Sequence, residues 1–101
     1  MPNPEIPPER AVHSDRPLTI GPQIWDLLDS YDKNLKSKFI RAFRFISRDI
    51  GHPSLHLEVV KAGKEAFFRV HVDPKYRIHF ELKDNYYLIL AIGPHRLQGI
   101  G

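Results

Sequence analysis

The chain has 101 residues, with 15 Lys and Arg against 12 Asp and Glu, a net charge of +3, and no Cys. This length predicts one domain with a single modest core, and the absence of Cys excludes disulfides and thiolate chemistry. No apolar run has transmembrane length, and the N-terminal MPNPEIPPER lacks the apolar stretch of a secretory signal. We therefore expect a cytoplasmic protein without a membrane partner, and the basic charge favours a polyanionic one.

The N-terminal third predicts a tail followed by two helices. Residues 1–16 are polar, contain four of the nine Pro and show no period, so we expect a mobile tail before a single domain over 17–101. Residues 18–20 predict a short strand, and Pro22 suits the first position of a short helix. Trp25 of that helix is predicted to be a core anchor rather than a platform for a base.

A longer helix follows, in which apolar residues recur at three- and four-residue spacing, the period of an amphipathic helix. They are Leu35, Phe39, Phe43, Ile46 and Ile50. Lys and Arg occupy most of the remaining positions, which is typical of a solvated helix face. Gly51 and Pro53 then end the helix.

The second half of the chain alternates polar and apolar residues, as half-buried strands do. The predicted strands are residues 55–59, 67–72, 76–83 and 86–92. With Asp73-Pro74-Lys75 as a turn, Val72 pairs with Tyr76, and the apolar faces of the two middle strands coincide. The sequence thus predicts an α+β fold in which two N-terminal helices pack on one face of a twisted antiparallel β-meander.

We expect one shared core from the helices and the meander. Its predicted members are Phe39, Phe43, Ile46, Val70, Ile78, Phe80, Leu88 and Leu90.

The opposite sheet face collects cationic and titratable groups. In the predicted register His71 lies opposite Arg77, and Arg69 lies opposite His79. Because like charges that face each other destabilise paired strands, such a patch predicts a function. Gly93-Pro94 ends the last strand, so His95 and Arg96 emerge at the sheet end.

These groups suit RNA cleavage without a metal. A base takes the proton of the attacking 2′-OH, a cation stabilises the added charge on the phosphate, and an acid protonates the leaving 5′-oxygen. Candidate catalytic residues are Arg77, His95, His71 and Arg69, and candidate RNA-binding residues are His79, Arg96, Lys75 and Lys61. The alternative is a solvated strand face that binds nothing.

Other chemistries find less support. His71, His79 and His95 lack the spacing of a zinc site and have no Cys partners, and no G-x-S-x-G motif occurs. We expect neither a metal nor another cofactor. His52 and His56, at the end of the long helix, are interpreted as surface residues without a chemical role.

Three motifs together resemble the RelE/ParE toxin superfamily of type II toxin–antitoxin systems, and the RelE-like branch in particular. They are HPSLHL after the long helix, FFRVHVDPKYRIHFEL, and ILAIGPHR. The resemblance covers about residues 18–98. Its most specific parts are Tyr76-Arg77-Ile78, which opens the penultimate strand, and the closing Ile92-Gly93-Pro94-His95.

The resemblance implies a ribosome-associated mRNA interferase that inhibits translation and is inhibited by a cognate antitoxin. It implies that Arg77 steadies the phosphate, that Arg69 and His71 form the basic pair of the preceding strand, and that His95 acts as acid or base. Cleavage would leave a cyclic phosphate. Two alternatives stay open, a ParE-like inhibitor of DNA gyrase and a non-toxic remnant, since residues 97–101 lack the Tyr that RelE-like nucleases often carry.

Overall fold

The structure, a computed structural model, describes residues 16–95. Two helices precede a four-stranded meander, and a two-residue strand precedes the helices. The elements are β1 (Leu18–Thr19), α1 (Pro22–Ser30), α2 (Lys33–Arg48), a 3₁₀ helix (Pro53–Leu55), β2 (Glu58–Ala62), β3 (Glu65–His71), β4 (Tyr76–Leu82) and β5 (Tyr87–Pro94). The predicted fold class, α+β with N-terminal helices, is confirmed.

Local chemistry explains where the helices begin. Pro22 occupies the first turn of α1, where its missing N–H costs nothing. Asp32 caps α2, since its side chain accepts a hydrogen bond of 2.8 Å from the N–H of Leu35. The apolar stripe of α2 then turns Phe39 and Ile46 into the core.

The sheet has the strand order β1-β5-β4-β3-β2, and β2 to β5 are antiparallel neighbours. The predicted short strand at residues 18–20 is present, but it pairs with β5 in parallel. The five-stranded sheet is therefore mixed rather than wholly antiparallel. A parallel neighbour needs a long crossover, and here the helices and the first three meander strands provide it.

The predicted register between β3 and β4 is confirmed. Val70 pairs with Ile78, and His71 pairs with Arg77. The N–H of Val72 donates to the carbonyl of Tyr76 at 2.9 Å and closes the turn. The sheet consequently has a helix face, which packs on α1 and α2, and an open face on the other side.

The last strand departs from the prediction. His79 pairs with Ala91 but Phe80 pairs with Ile89, so Leu90 is the extra residue of a β-bulge. The bulge changes which side chains of β5 point to the helices, and Tyr87, Ile89 and Ile92 join the core. The prediction that Leu88 and Leu90 belong to the core was wrong, and both are only half-buried.

Two further expectations need correction. The segment before β2 is not all strand, because Pro53–Leu55 forms a 3₁₀ helix and the strand begins at Glu58. Trp25 is 38% exposed on the outer side of α1, so it is not a core anchor.

The start of the described chain is held firmly. The N–H of Arg16 donates to the carbonyl of Ser47 at 2.8 Å, and its guanidinium contacts the carbonyl of Lys83 and the ring of Tyr87. Arg16 thus belongs to the folded domain rather than to the predicted tail. The other tail residues, 1–15, lie outside the described part of the chain.

Neither α1 nor α2, the two α-helices within residues 16–95, has the length and apolar content required to cross a lipid bilayer.

The bulge makes a direct prediction about stability. Ile89→Ala should lower the free energy of unfolding by about 2–4 kcal/mol, because it leaves a cavity in the core. Leu90→Ala should cost about 1 kcal/mol or less, because the half-buried side chain is only partly removed from water. Urea denaturation of both variants measures the difference. A larger loss for Leu90→Ala would show that β5 has the opposite register.

Candidate functional site

Strand pairing arranges the open face in rows. Arg77 pairs with His71 on one side and with Gly93 on the other. His56 lies two residues before Glu58, and Glu58 pairs with Arg69, two residues before His71. The rings of His56 and His71 are in contact, with centroids 4.7 Å apart and ring planes tilted by 36°. We call His56, His71 and Arg77 the His–Arg row.

His56 was missed by the sequence analysis. It ends the 3₁₀ helix in the left-handed conformation, with φ 49° and ψ 54°, and its N–H donates to the carbonyl of Pro53 at 3.2 Å. That conformation costs a residue with a side chain about 1–2 kcal/mol. The pairing of β2 with β3 could have located His56. When this pairing is extended by two residues beyond Glu58, His56 lies opposite His71.

The surroundings of His71 favour the neutral form of its imidazole. Partial burial lowers its pKa below the usual range for histidine, and the charges of Arg77 and His56 lower it further. At neutral pH its imidazole therefore carries no charge. A neutral imidazole beside a fixed cation is able to accept a proton.

Arg77 is fixed by the β3–β4 turn. Its Nη1 donates to the carbonyls of Asp73 at 2.9 Å, Tyr76 at 3.0 Å and Pro74 at 3.3 Å. Within residues 16–95, no hydrogen bond engages its Nη2 or Nε. The guanidinium is thus held by one nitrogen, while its other edge remains suited to a phosphate.

Asp73 in turn stabilises that loop. Its carboxylate accepts hydrogen bonds from the N–H groups of Lys75 at 2.8 Å and Tyr76 at 2.9 Å, and it pairs with Lys38 of α2 at 3.3 Å. Burial alone would raise the pKa of Asp73, but the hydrogen bonds from Lys75 and Lys38 outweigh it and lower the pKa. The carboxylate is therefore ionised at neutral pH and accepts these hydrogen bonds in the loop that holds Arg77.

Arg69 lies in the next row and is already paired. Its Nε donates to Oε1 of Glu58 at 2.8 Å, and its Nη2 contacts the same oxygen. The hydrogen bond from Arg69 is the main cause that lowers the pKa of Glu58. Glu58 thus offsets part of the charge that the sequence analysis assigned to phosphate binding.

His79 does not fit its predicted contact with RNA. It lies on the open face, but it is 1% exposed and its ring packs on Phe67 at 4.9 Å. Neither ring nitrogen has a hydrogen-bond partner within residues 16–95. Burial, with a smaller contribution from the charge of Arg69, lowers its pKa to about 4.

The remaining candidate residues do not all lie near Arg77. His95 is exposed, and its N–H donates to the carbonyl of Lys75 at 2.6 Å, which brings both residues to the Arg77 end. Lys61 pairs with Ala66 and alternates with Val60, so it belongs to the helix face and not to the patch. Arg96 lies outside the described residues.

A metal site finds no support in the described part of the chain. No group of three or more His, Cys, Asp or Glu between residues 16 and 95 is placed to hold a metal ion. Among residues 16–95, the His56–His71 pair has no third ligand of these types.

Comparison with known proteins gives a fold-level likeness. No family model matches the chain, and no curated protein matches it. A solved structure of a copper-bound mutant toxin from Helicobacter pylori resembles it, with a TM-score of 0.54 and 20% sequence identity. The match covers 80% of this chain and 96% of that toxin. The two proteins therefore share a fold across nearly the whole length of the toxin.

The buried His79 predicts a pH-dependent stability. Its pKa is about 4 in the folded protein and about 6.5 in an unfolded chain, so between these values the unfolded state binds more protons. Stability should be complete above about pH 6.5 and fall by up to about 3 kcal/mol as the pH decreases to about 4. Urea denaturation at several pH values measures this slope.

His79→Leu should reduce that slope, because leucine does not titrate. It should also be neutral or stabilising at pH 7, since it removes two buried polar atoms without partners. A variant that keeps the slope of the original protein would show that His79 is not its source.

Proposed function

We propose that the chain is the toxin of a type II toxin–antitoxin system and cleaves mRNA on the ribosome without a metal. The His–Arg row supports this proposal most strongly. It places a neutral imidazole next to a rigidly held guanidinium on an open sheet face, at the end where His95 emerges. The fold shared with the Helicobacter pylori toxin is compatible with it.

The proposed reaction is transesterification at one phosphate. His71 takes the proton of the 2′-OH, whose oxygen attacks the adjacent phosphorus. Arg77 stabilises the charge of the pentavalent phosphate through its Nη2 and Nε. His95 gives a proton to the departing 5′-oxygen. The products are a 2′,3′-cyclic phosphate and a 5′-hydroxyl.

His56 acts on this reaction as a positioning residue. The centroid of its ring lies 4.7 Å from that of His71, and the left-handed backbone at the end of the 3₁₀ helix directs it there. This contact also contributes, after burial and the charge of Arg77, to the lowered pKa of His71. Arg69 of β3, in the next row, pairs with Glu58 of β2 and so ties the strand that carries His71 to its neighbour.

Two partners follow from the proposal. Lys75, exposed in the β3–β4 turn beside His95, contributes a phosphate contact for mRNA. A cognate antitoxin, acidic and partly disordered, would cover the basic domain by folding on binding. Both place the protein in the cytoplasm.

Replacement of Arg77 tests the proposed phosphate contact. Arg77→Ala should slow cleavage of mRNA on programmed ribosomes by about a hundredfold or more, the scale for a lost transition-state donor. Arg77→Lys should recover little of this loss, because lysine lacks the planar fork. Arg44→Ala, on the exposed side of α2, is the matched control and should retain most activity.

The outcome for DNA gyrase decides between the functions. If Arg77→Ala retains full growth inhibition while the protein blocks gyrase supercoiling, the ParE-like alternative replaces the nuclease. If the original protein does not inhibit growth, does not cleave mRNA on ribosomes and does not block gyrase supercoiling, the chain is a non-toxic remnant.

The two histidines predict opposite effects on the pH dependence of cleavage. His71→Gln should remove the acidic limb, because the base is inactive when protonated, and that limb should lie below about pH 6.5 since the pKa of His71 is lowered. His95→Gln should instead flatten the alkaline limb, because a deprotonated acid gives no proton. Single-turnover cleavage from pH 5 to 9 measures both, and identical profiles would contradict the assigned roles.

A further inference from the structure

A second concave site lies beside the His–Arg row. It is a pocket of about 250 Å³ between α2, the 3₁₀ helix and the end of β3. Its polar lining consists of Lys38, Arg41, Ser54, His71 and Asp73. We call it the flank pocket.

The flank pocket and the His–Arg row share a residue. His71 lines the pocket and also contacts the ring of His56 in the row. Asp73, which lines the pocket, holds the turn that fixes Arg77. A molecule in the pocket is therefore next to any phosphate bound at the row.

The chemistry of the lining favours an anion. Lys38 and Arg41 bring two positive charges, and the carboxylate of Asp73, which pairs with Lys38, offsets one of them. The exposed guanidinium of Arg41 lies 5.7 Å from the ring centroid of Phe45. The lining thus carries a net positive charge.

The same lining suits a flat, partly apolar group with polar edges. Phe45 and Val72 supply apolar surface that is only half-buried. The Ser54 hydroxyl is oriented by His52, whose Nδ1 lies 2.8 Å from Oγ. A nucleobase needs this combination of apolar contact and a few fixed hydrogen-bonding groups.

We propose that the flank pocket binds one nucleotide of the RNA, the neighbour of the nucleotide whose phosphate is cleaved. Arg41 contacts its phosphate, the base lies against Phe45 and Val72, and Ser54 contacts the base edge. This assignment rests on the proposed nuclease function for its position in the reaction. It predicts that cleavage depends on the identity of a flanking base.

The test measures binding of a trinucleotide RNA that is 2′-O-methylated throughout and so is not cleaved. In the full chain, its addition should shift the amide resonances of Ala42, Ser54 and Val72 in NMR spectra. Arg41→Gln should raise the dissociation constant fivefold or more. Arg44→Gln removes the same charge from the same helix but does not line the pocket, and should change the constant less than twofold.

Several results would overturn the proposal. Equal weakening by Arg41→Gln and Arg44→Gln would show a general charge effect. Resonance shifts confined to residues of the open face would show that the RNA leaves the pocket empty. If a poly-glutamate peptide shifts the amide resonances of Ala42, Ser54 and Val72 and the RNA does not, the pocket binds an acidic protein segment instead.

Failure of this proposal is separable from failure of the proposed function. If the protein cleaves mRNA but the trinucleotide does not occupy the pocket, only the proposal for the flank pocket is wrong. Occupancy of the pocket by the trinucleotide, with no cleavage by the original protein, overturns the nuclease alone.

Discussion

The register between β3 and β4 determines both which side chains enter the core and which groups meet on the open face. It is set by the Asp73-Pro74-Lys75 turn, where the Asp73 carboxylate accepts two backbone hydrogen bonds and pairs with Lys38 of α2. With this register, Val70 and Ile78 meet under the helices and His71 and Arg77 meet on the open face. A slip of one residue would exchange these faces, burying charge and exposing the core. The same turn therefore determines both the packing of the core and the arrangement of the site.

The turn also determines how the site differs from an ordinary basic surface. Arg77 uses one nitrogen to bind three turn carbonyls, so its guanidinium is oriented before any ligand arrives. His71 receives its lowered pKa from partial burial and from neighbouring charges that this geometry brings close. A solvated face of flexible side chains would provide neither a fixed cation nor a neutral base. This preorganisation, rather than the net charge of the chain, supports the proposal of a catalytic site.

The sequence predicted the features that depend on alternation and failed where the backbone departs from it. Alternation over residues 67–82 correctly placed Val70 and Ile78 in the core, with His71 opposite Arg77. The bulge at Leu90 adds a residue without any local signal in a uniformly apolar strand, so Leu88 and Leu90 were assigned to the wrong environment. His56 was missed because its position depends on a left-handed residue between a 3₁₀ helix and β2. The burial of His79 depends on the ring of Phe67, which alternation alone does not reveal.

The decisive measurement is the chemical nature of the ends that cleavage leaves on the mRNA. Purified protein is incubated with programmed ribosomes in the presence of a chelator that does not disrupt them, and both product ends are identified by mass spectrometry. Transesterification predicts a 2′,3′-cyclic phosphate and a 5′-hydroxyl, and no cleavage when the attacking 2′-OH is replaced by hydrogen. Intact mRNA, or a 3′-hydroxyl with a 5′-phosphate and continued cleavage of the deoxy substrate, would contradict it.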